Sequence, residues 1–448
     1  MEVKNKNISV IGAVRSGVGA AKLIKKLGGN PFVSDSGKNK NLIISGETLK
    51  ENKINFEIGE HTDKVYDCDL MVVSPGVPSN AQILVDAKEK NIEIISEIEL
   101  AYNFCKAKII AITGTNGKTT TTSLCGHIFK TSGVKTFIAG NIGTAFSEIV
   151  LEASENDFVV LEVSSFQLDL IKDFKPNIGM ILNITPDHLN RYENKFENYI
   201  NSKLRLYKNQ DKNDYLILNK DDEILINSLT NYSSKEFYFS LNEPQLNGCY
   251  LTGTQIIYNE DGELRFTCDT SGINLKGEHN IANAMAAVNA AKIFNLDNEK
   301  IKEGLKTFKG VEHRLEFVRE VNGVTFINDS KATNVDSVWY ALRSFDEPIF
   351  LILGGQDKGN DYSQIKQLVI EKVKKIYAIG SSADKVFNFF HSEVKVEVKP
   401  SLEDVVIAAN QEARENEIVL LSPACASFDM FDNYEHRGKI FKEAVNKL

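Results

Sequence analysis

Residues 109–122 read Ile-Ile-Ala-Ile-Thr-Gly-Thr-Asn-Gly-Lys-Thr-Thr-Thr-Thr. An apolar run of strand length ends at Gly114 and Gly117, and a helix-forming stretch begins at Lys118. A buried strand that turns at once into a helix belongs to a parallel α/β sheet, because the helix carries the chain back across the sheet face. The same order suits a triphosphate. Glycines let backbone N–H groups approach phosphate oxygens, and a helix N-terminus faces the negative charge. A lysine reaches the terminal phosphates, and the Thr119 hydroxyl can complete a Mg²⁺ shell. The usual loop carries a further glycine at the position that is Ile112 here, so 113–116 form a compact variant. A Gly/Thr-rich turn with a solvated lysine is the alternative, and it fits poorly between such a strand and such a helix.

The strand-then-helix rhythm resets twice, predicting an α/β protein of three domains. In the first, apolar runs at 8–11, 31–33, 70–73 and 92–95 alternate with helical stretches at 17–27 and 81–90. A helical connection over 96–108 leads to a second unit with strands at 109–112, 136–138, 158–163, 179–184 and 215–218. Short alternating runs at 236–239, 254–258 and 263–267, with a turn at Asp261-Gly262, predict a small antiparallel sheet appended to it. Helices over 280–294 and 298–308 follow, and a third unit has strands at 324–327, 349–353, 375–379 and 418–421. The expected domains are a Rossmann-like one at 1–97, a P-loop-type mononucleotide-binding one at 98–310, and a second Rossmann-like one at 311–448.

With 448 residues the chain has ample core, and 42% hydrophobic with 25% charged residues is an ordinary globular composition. A net charge of −9 argues against a general nucleic-acid binder. No run of about 18 apolar residues predicts a membrane span. The start lacks a secretory h-region, so the cytoplasm is the expected location. Cys68, Cys105, Cys125, Cys249, Cys268 and Cys425 are scattered without C-x-x-C spacing, suggesting neither zinc nor disulfides. Cys425 beside Ser427 has no base nearby in sequence and is not read as a nucleophile.

Gly12-Ala-Val-Arg-Ser-Gly-Val-Gly19 follows the first strand, and Asp35 ends the second. A dinucleotide fingerprint needs glycine where Val14 stands. A nucleotide phosphate can still rest on this turn, with Ser34-Asp-Ser-Gly37 and Ser74-Pro-Gly-Val-Pro78 lining the same crevice; plain turns are an equal alternative. Tyr199 and Lys203, four residues apart, could suggest a nicotinamide-dependent oxidoreductase, yet that spacing shares a helix face by geometry alone.

Glu162 ends an apolar strand, where an acid is unusual unless it meets a cation, and is a candidate Mg²⁺ ligand. The segment 183–188, Asn-Ile-Thr-Pro-Asp-His, ends another strand with an acid and His188. Asn328-Asp-Ser-Lys-Ala-Thr333 and Gly354-Gly-Gln-Asp-Lys-Gly359 each place an Asp and a Lys after a strand, suited to a substrate carboxylate.

Taken together, Gly114-Thr-Asn-Gly-Lys-Thr119, Glu162 in Leu-Glu-Val-Ser-Ser-Phe-Gln-Leu, Thr-Pro-Asp-His188, His279-Asn-Ile-Ala-Asn283 and His313-Arg314 resemble the Mur ligase family over nearly the whole chain. Asp329-Ser-Lys-Ala-Thr-Asn334, Gly354-Gly-Gln-Asp-Lys358 and Ser422-Pro-Ala-Cys-Ala-Ser-Phe-Asp429 are similar to its D-glutamate-adding branch. A D-N-P-R-type motif of the diaminopimelate- or lysine-adding branch is missing from the third domain.

The resemblance implies an ATP-dependent amide ligase of cytoplasmic peptidoglycan precursor synthesis. It joins D-glutamate to UDP-N-acetylmuramoyl-L-alanine through an acyl phosphate and a tetrahedral intermediate. The implied catalytic residues are Lys118, Glu162, His188 and Lys203. Two Mg²⁺ ions are expected, one on Thr119 and Glu162, the other on His188 and on Lys203 as a carbamate. The ATP set is Gly114, Thr115, Asn116, Gly117, Lys118, Thr119, Thr120, Asn280, Asn283, Arg314, Asp329 and Lys331. The UDP-substrate set is Ser16, Ser34, Asp35, Ser74, Pro75, Gly76, Asn141, Ser164, Gln167 and His188. The D-glutamate set is Lys331, Thr333, Lys358, Ser427, Phe428 and Tyr434. A monomer with no nucleic-acid or membrane partner is expected. A Mur ligase of other amino-acid specificity and a folylpolyglutamate synthetase are the nearest alternatives.

Overall fold

The computed structural model describes residues 1–38, 40–275, 277–357 and 359–448. The chain forms three sheets. The first is fully parallel: β1 (Asn7–Ile11), β2 (Asn30–Asp35), β3 (Asn55–Ile58), β4 (Leu70–Val73) and β5 (Ile94–Ser96), in the order β3-β2-β1-β4-β5. Its order reverses between β1 and β4, which opens a crevice beyond their carboxyl ends. Gly12 and Ser74 lie there, with the Ser74 hydroxyl donating to the Gly12 carbonyl at 3.2 Å.

The second sheet holds β6 (Lys108–Thr113), β7 (Thr136–Gly140), β8 (Phe158–Glu162), β9 (Ile178–Ile181), β10 (Tyr215–Asn219), β11 (Lys235–Ser240), β12 (Gly248–Thr252), β13 (Gln255–Glu260) and β14 (Glu263–Asp269). Their order is β14-β13-β12-β11-β10-β9-β6-β8-β7. Strands β6, β8 and β9 are apolar and buried on both faces, as central parallel strands covered by helices must be. The expected antiparallel sheet is not separate. β11 pairs parallel to β10 and β12 parallel to β11, and only β12, β13 and β14 pair antiparallel, as an extension of the same sheet. Its alternating pattern reflects a half-exposed sheet edge and does not report strand direction.

The third sheet holds β15 (Glu316–Val321), β16 (Val324–Asn328), β17 (Ile349–Gly354), β18 (Val373–Ile379), β19 (Lys395–Val398) and β20 (Ile418–Leu421), in the order β15-β16-β20-β17-β18-β19. All its pairs are parallel except β15 with β16. Strands β3, β12, β15 and β19 went unread in the sequence because they are short, polar or edge strands without an apolar run.

By their contacts the residues group into two compact units, 1–274 with 281–308 and 275–280 with 309–448. Within the first unit two buried acids tie the first sheet to the second. The predicted helical connection over 96–108 is helical only at Glu97–Tyr102, capped by the Ser96 hydroxyl. Glu99 on that helix accepts from the amides of Lys172, Asp173 and Phe174 at 2.8, 3.0 and 2.9 Å. Glu97 accepts from the Ser147 amide at 2.6 Å, and burial pushes its carboxyl above the usual range. Among the described residues no helix is long and apolar enough to cross a membrane.

Candidate active site

The loop after β6 is shaped by two glycines in the left-handed half of backbone space, Gly114 (φ +151°) and Gly117 (φ +83°). Gly117 caps the helix Lys118–Thr131, and a Cβ there would lie 2.5 Å from the Asn283 carboxamide oxygen, so conformation and space both demand glycine. Thr119 and Thr120 are buried at the first turn of that helix. Asn183, just beyond β9, holds the loop: its Oδ1 accepts from the amides of Thr115 and Asn116 at 3.1 and 2.8 Å, and its Nδ2 donates to the Asn116 carbonyl at 3.1 Å. The Thr115 hydroxyl donates to the Thr185 carbonyl and accepts from the Thr185 amide, both at 3.0 Å. Asn283 accepts from the Thr121 hydroxyl at 3.1 Å, which puts this predicted residue against the loop's helix.

Two ammonium groups meet at one carbonyl. Lys118 Nζ donates to Gly114 O and Thr115 O at 2.8 Å each, and Lys203 Nζ donates to Gly114 O at 2.7 Å. Lys203 projects from the helix Phe196–Leu204 and is 1% exposed. Tyr199, one turn back, lies under its ammonium with the ring centre at 4.6 Å. Burial first, then the Lys118 charge, push its pKa well below the usual lysine range, against the weaker pull of Asp187, Asp169 and Glu162. Both effects raise the share of the neutral amine relative to an exposed lysine.

Glu162 ends β8 at 2% exposure. Its Oε1 accepts from Asn141 Nδ2 at 2.8 Å, while Oε2 is buried with no hydrogen-bond partner among the described residues. A buried carboxylate oxygen left unbonded is costly, and a cation would satisfy it. Asn141 also donates its amide to the Glu162 carbonyl at 2.8 Å. His188 has left-handed backbone (φ 53°) before the turn Leu189–Arg191; its ring meets the Phe166 edge at 5.2 Å and lies 3.6 Å from Asp187 Oδ2. Fit for a divalent ion thus rests on the unbonded oxygen of Glu162, with Thr119, His188 and Lys203 in the same unit.

The first crevice is less open than its motifs suggested. The Ser34 hydroxyl is buried and bonded to Glu57 and to the His61 ring at 2.6 Å each. The Asp35 carboxylate accepts from the amides of Ala13 and Gly37, both at 2.8 Å. Ser16 is partly buried near the start of the helix Arg15–Lys26. Pro75 and Gly76 remain at least partly exposed, and nothing lies within 4 Å of a Cβ built on Gly76. Ser164 and Gln167 form the capping box of the helix Ser165–Leu168, so a structural role accounts for both. Arg191, which no motif singled out, lies over the Phe166 ring at 4.3 Å and donates to the carbonyls of Val77 and Pro75 at 2.9 and 3.3 Å.

In the second unit, Asn280 is buried, and burial with the charges of Arg314 and Arg343 lowers the neighbouring His279 to about 4. Arg314 has a buried Nε with no partner among the described residues. Asp329 is pushed up to about 6 by burial, partly offset by Arg314 and by the Ser422 hydroxyl, which donates to its Oδ2 at 2.8 Å. The turns after β16, β20 and β17 adjoin: Gln356 and Ala426 exchange backbone hydrogen bonds at 2.9 and 3.2 Å. Lys331 Nζ lies 5.2 Å from the Tyr434 ring centre, Thr333 is half-buried, Ser427 is buried, and Phe428 is 68% exposed. Lys358 lies outside the described residues.

Family models match in three stretches: the MurD N-terminal domain at 8–83, the Mur ligase middle domain at 112–291, and the Mur ligase glutamate ligase domain at 313–425. A UDP-N-acetylmuramoylalanine–D-glutamate ligase from Chloroherpeton thalassium is 43% identical, covering 100% of this chain and 99% of that protein. One of the same name from Thermoanaerobacter pseudethanolicus is 43% identical with 100% of both chains covered. Among solved structures, a UDP-N-acetylmuramate–alanine ligase from Thermotoga maritima superposes with a TM-score of 0.66 at 18% identity, covering 99% of this chain and 100% of that one. A pseudomurein peptide ligase from Methanothermus fervidus gives 0.62 at 20% identity with 99% and 100% covered. At such identities these two structures speak for the fold alone.

Proposed function

Since the chain belongs to the Mur ligase family, within its UDP-N-acetylmuramoylalanine–D-glutamate ligases, we propose that it is an ATP-dependent ligase joining D-glutamate to UDP-N-acetylmuramoyl-L-alanine. The observation that carries the chemistry is the meeting of Lys118 and Lys203 on the Gly114 carbonyl, in a unit whose Glu162 keeps one buried oxygen unbonded. A γ-phosphate arriving at this loop must approach the substrate carboxylate, and two anions repel. Lys118, released from its two loop carbonyls, offsets that repulsion.

Thr119 and Glu162 would hold one Mg²⁺, His188 and a carbamylated Lys203 a second, and the ions would supply charge neutralisation to the transferring phosphoryl group. Carbamylation requires a neutral amine to attack CO₂, and the buried, cation-flanked Lys203 favours that form. The acyl phosphate formed by transfer is attacked by the amine of D-glutamate, and the tetrahedral intermediate collapses with loss of phosphate. Loop residues 114–120 and Asn283 are assigned to ATP, and the family pattern adds Asn280, Arg314, Asp329 and Lys331. Ser16, Ser34, Asp35, Ser74, Pro75, Gly76, Asn141, Ser164, Gln167 and His188 are assigned to the UDP substrate. Lys331, Thr333, Lys358, Ser427, Phe428 and Tyr434 are assigned to D-glutamate. The division at 1–97, 98–310 and 311–448, one sheet in each, and a cytoplasmic location complete the reading.

The deciding experiment supplies purified protein with ATP, Mg²⁺ and UDP-N-acetylmuramoyl-L-alanine and compares phosphate release across amino acids. D-Glutamate-dependent release is expected. Equal or faster release with lysine or diaminopimelate would overturn the assignment of the amino acid, and no release with any amino acid would overturn the reaction.

A further inference from the structure

Arg437 stands on the helix Tyr434–Asn446, near its N-terminus, where the helix dipole opposes a cation. It is nonetheless 1% exposed. Its Nε donates to the Ser330 hydroxyl at 3.0 Å, and its Nη2 donates to the carbonyls of Ser330 and Cys425 at 2.8 and 3.1 Å. Its Nη1 reaches the Ala426 carbonyl at 3.4 Å. A Cβ on Gly355 (φ +137°) would come within 3.2 Å of Nη1. One guanidinium thus bonds the turns that follow β16 and β20, which lead into Lys331 and Ser427, and the turn after β17 joins them through the Gln356–Ala426 backbone pair.

Every one of those acceptors is neutral. No carboxylate forms an ion pair with Arg437 among the described residues, although Asp329 and Asp429 are close enough to act on it through space. Both acids have other partners: Asp329 accepts from the Ser422 hydroxyl and the Leu315 amide, and Asp429 accepts from the Ser381 amide. Burial lowers the guanidinium only to about 10, so it remains charged. Held by neutral acceptors and opposed only through space by Asp329 and Asp429, the cation makes the potential in whatever those turns enclose more positive than it would otherwise be, and low-dielectric walls strengthen that effect.

We propose that Arg437 is a positioning and specificity-determining residue for the amino-acid substrate: its fork ties the turns after β16 and β20 together, and its charge selects an anionic side chain over a neutral isostere. This rests on the D-glutamate reading above. D-Glutamine has the same shape as D-glutamate and lacks one negative charge, so the ratio of their affinities isolates the charge effect. A purely structural role would weaken both alike.

The test measures KM for D-glutamate, the inhibition constant of D-glutamine against it, and KM for ATP in wild type, Arg437→Met and Arg437→Lys, with thermal melts to establish folding. In Arg437→Met the preference for D-glutamate should fall by about 10-fold or more, with KM for ATP within about threefold of wild type. Arg437→Lys loses the fork and keeps the charge, so KM for D-glutamate should rise while the preference stays within about threefold of wild type. A folded Arg437→Met with wild-type preference would overturn the proposal. So would an Arg437→Lys whose preference falls about 10-fold, which decides the matter alone if the Met variant does not fold. Wild-type protein that ignores D-glutamate would instead refute the reaction on which the proposal rests.

Discussion

The turn after β1 and the loop after β6 lie in one unit, share a strand–turn–helix path, and carry opposite electrical character. After β6, the early amides of Thr115 and Asn116 are held by a neutral carboxamide, Asn183, and two lysines converge on the Gly114 carbonyl. After β1, the Ala13 amide is held by a carboxylate, Asp35, which also takes the Gly37 amide. One turn is prepared for an anion. The other already contains one, and a neutral hydrogen-bonding ligand suits it better than a diphosphate does. A glycine-rich turn before a helix is therefore not an anion site until the occupant of its amides is known.

The comparison is broken most severely at Lys203, which has no counterpart near β1. Lys203→Ala should lower turnover by about 1,000-fold, and, on the carbamate proposed above, added acetate or formate should recover part of it by standing in for that group. Full activity without rescue would remove Lys203 from the mechanism. The same residue governs a pH effect. Its folded pKa is depressed below the ordinary lysine value of 10.5, so between those two values the unfolded chain binds a proton that the folded chain does not. Stability then rises with pH through that window and is lost as pH falls, by at most about 1.4 kcal/mol per pH unit. Urea midpoints in CO₂-free buffer should rise as pH approaches about 10 from below in wild type and rise less in Lys203→Met; parallel profiles would contradict it.

Next in size is Gly117→Ala. The left-handed backbone and the 2.5 Å approach to Asn283 Oδ1 force the loop to shift, and turnover should fall by about 100-fold. Gly272→Ala, whose added methyl would meet nothing nearer than Cys268 Sγ at 4.0 Å, should stay within about threefold of wild type. A loss in Gly117→Ala as small as that of the control variant would mean that the loop tolerates displacement.

How much of this was legible follows from what each residue bonds to. The buried runs of β6, β8 and β17 and the motifs at their ends could be read because apolar periodicity and glycine placement are written in residue types. Asn183, Arg191 and Arg437 could not be picked out, because what they do depends on backbone groups distant in sequence. Arg437 reaches the Ser330 carbonyl 107 positions away and Arg191 the Val77 carbonyl 114 away. A carbonyl leaves no residue-type signature for its partner. Glu162 was readable as a candidate ligand from its place at a strand end, while its unbonded oxygen is visible only once the strands are assembled.

Asn183→Asp would give the loop after β6 the electrical character of the turn after β1. The carboxylate can still accept from the Thr115 and Asn116 amides, but an acceptor oxygen replaces the Nδ2 donor and faces the Asn116 carbonyl, so stability should fall by about 1–3 kcal/mol. Its charge beneath the loop should raise KM for ATP by roughly 10-fold, more at low salt than at high salt. An unchanged KM for ATP would show that the occupant of the early amides does not set the loop's affinity.

The smallest effect is expected from the reciprocal change, Asp35→Asn. A carboxamide has one accepting oxygen where the carboxylate offers two, so either the Ala13 or the Gly37 amide loses its partner. The expected loss is about 1–2 kcal/mol in urea unfolding, since both bonds are to an ionised acceptor. Removing the negative charge also makes this turn more receptive to an anion. KM for the UDP substrate should therefore hold or fall slightly once folded protein is compared with folded protein. A rise of about 10-fold at unchanged stability would mean that the carboxylate itself contacts the substrate, and the contrast between the two turns would then lie in which ligand group each receives rather than in which already holds a charge.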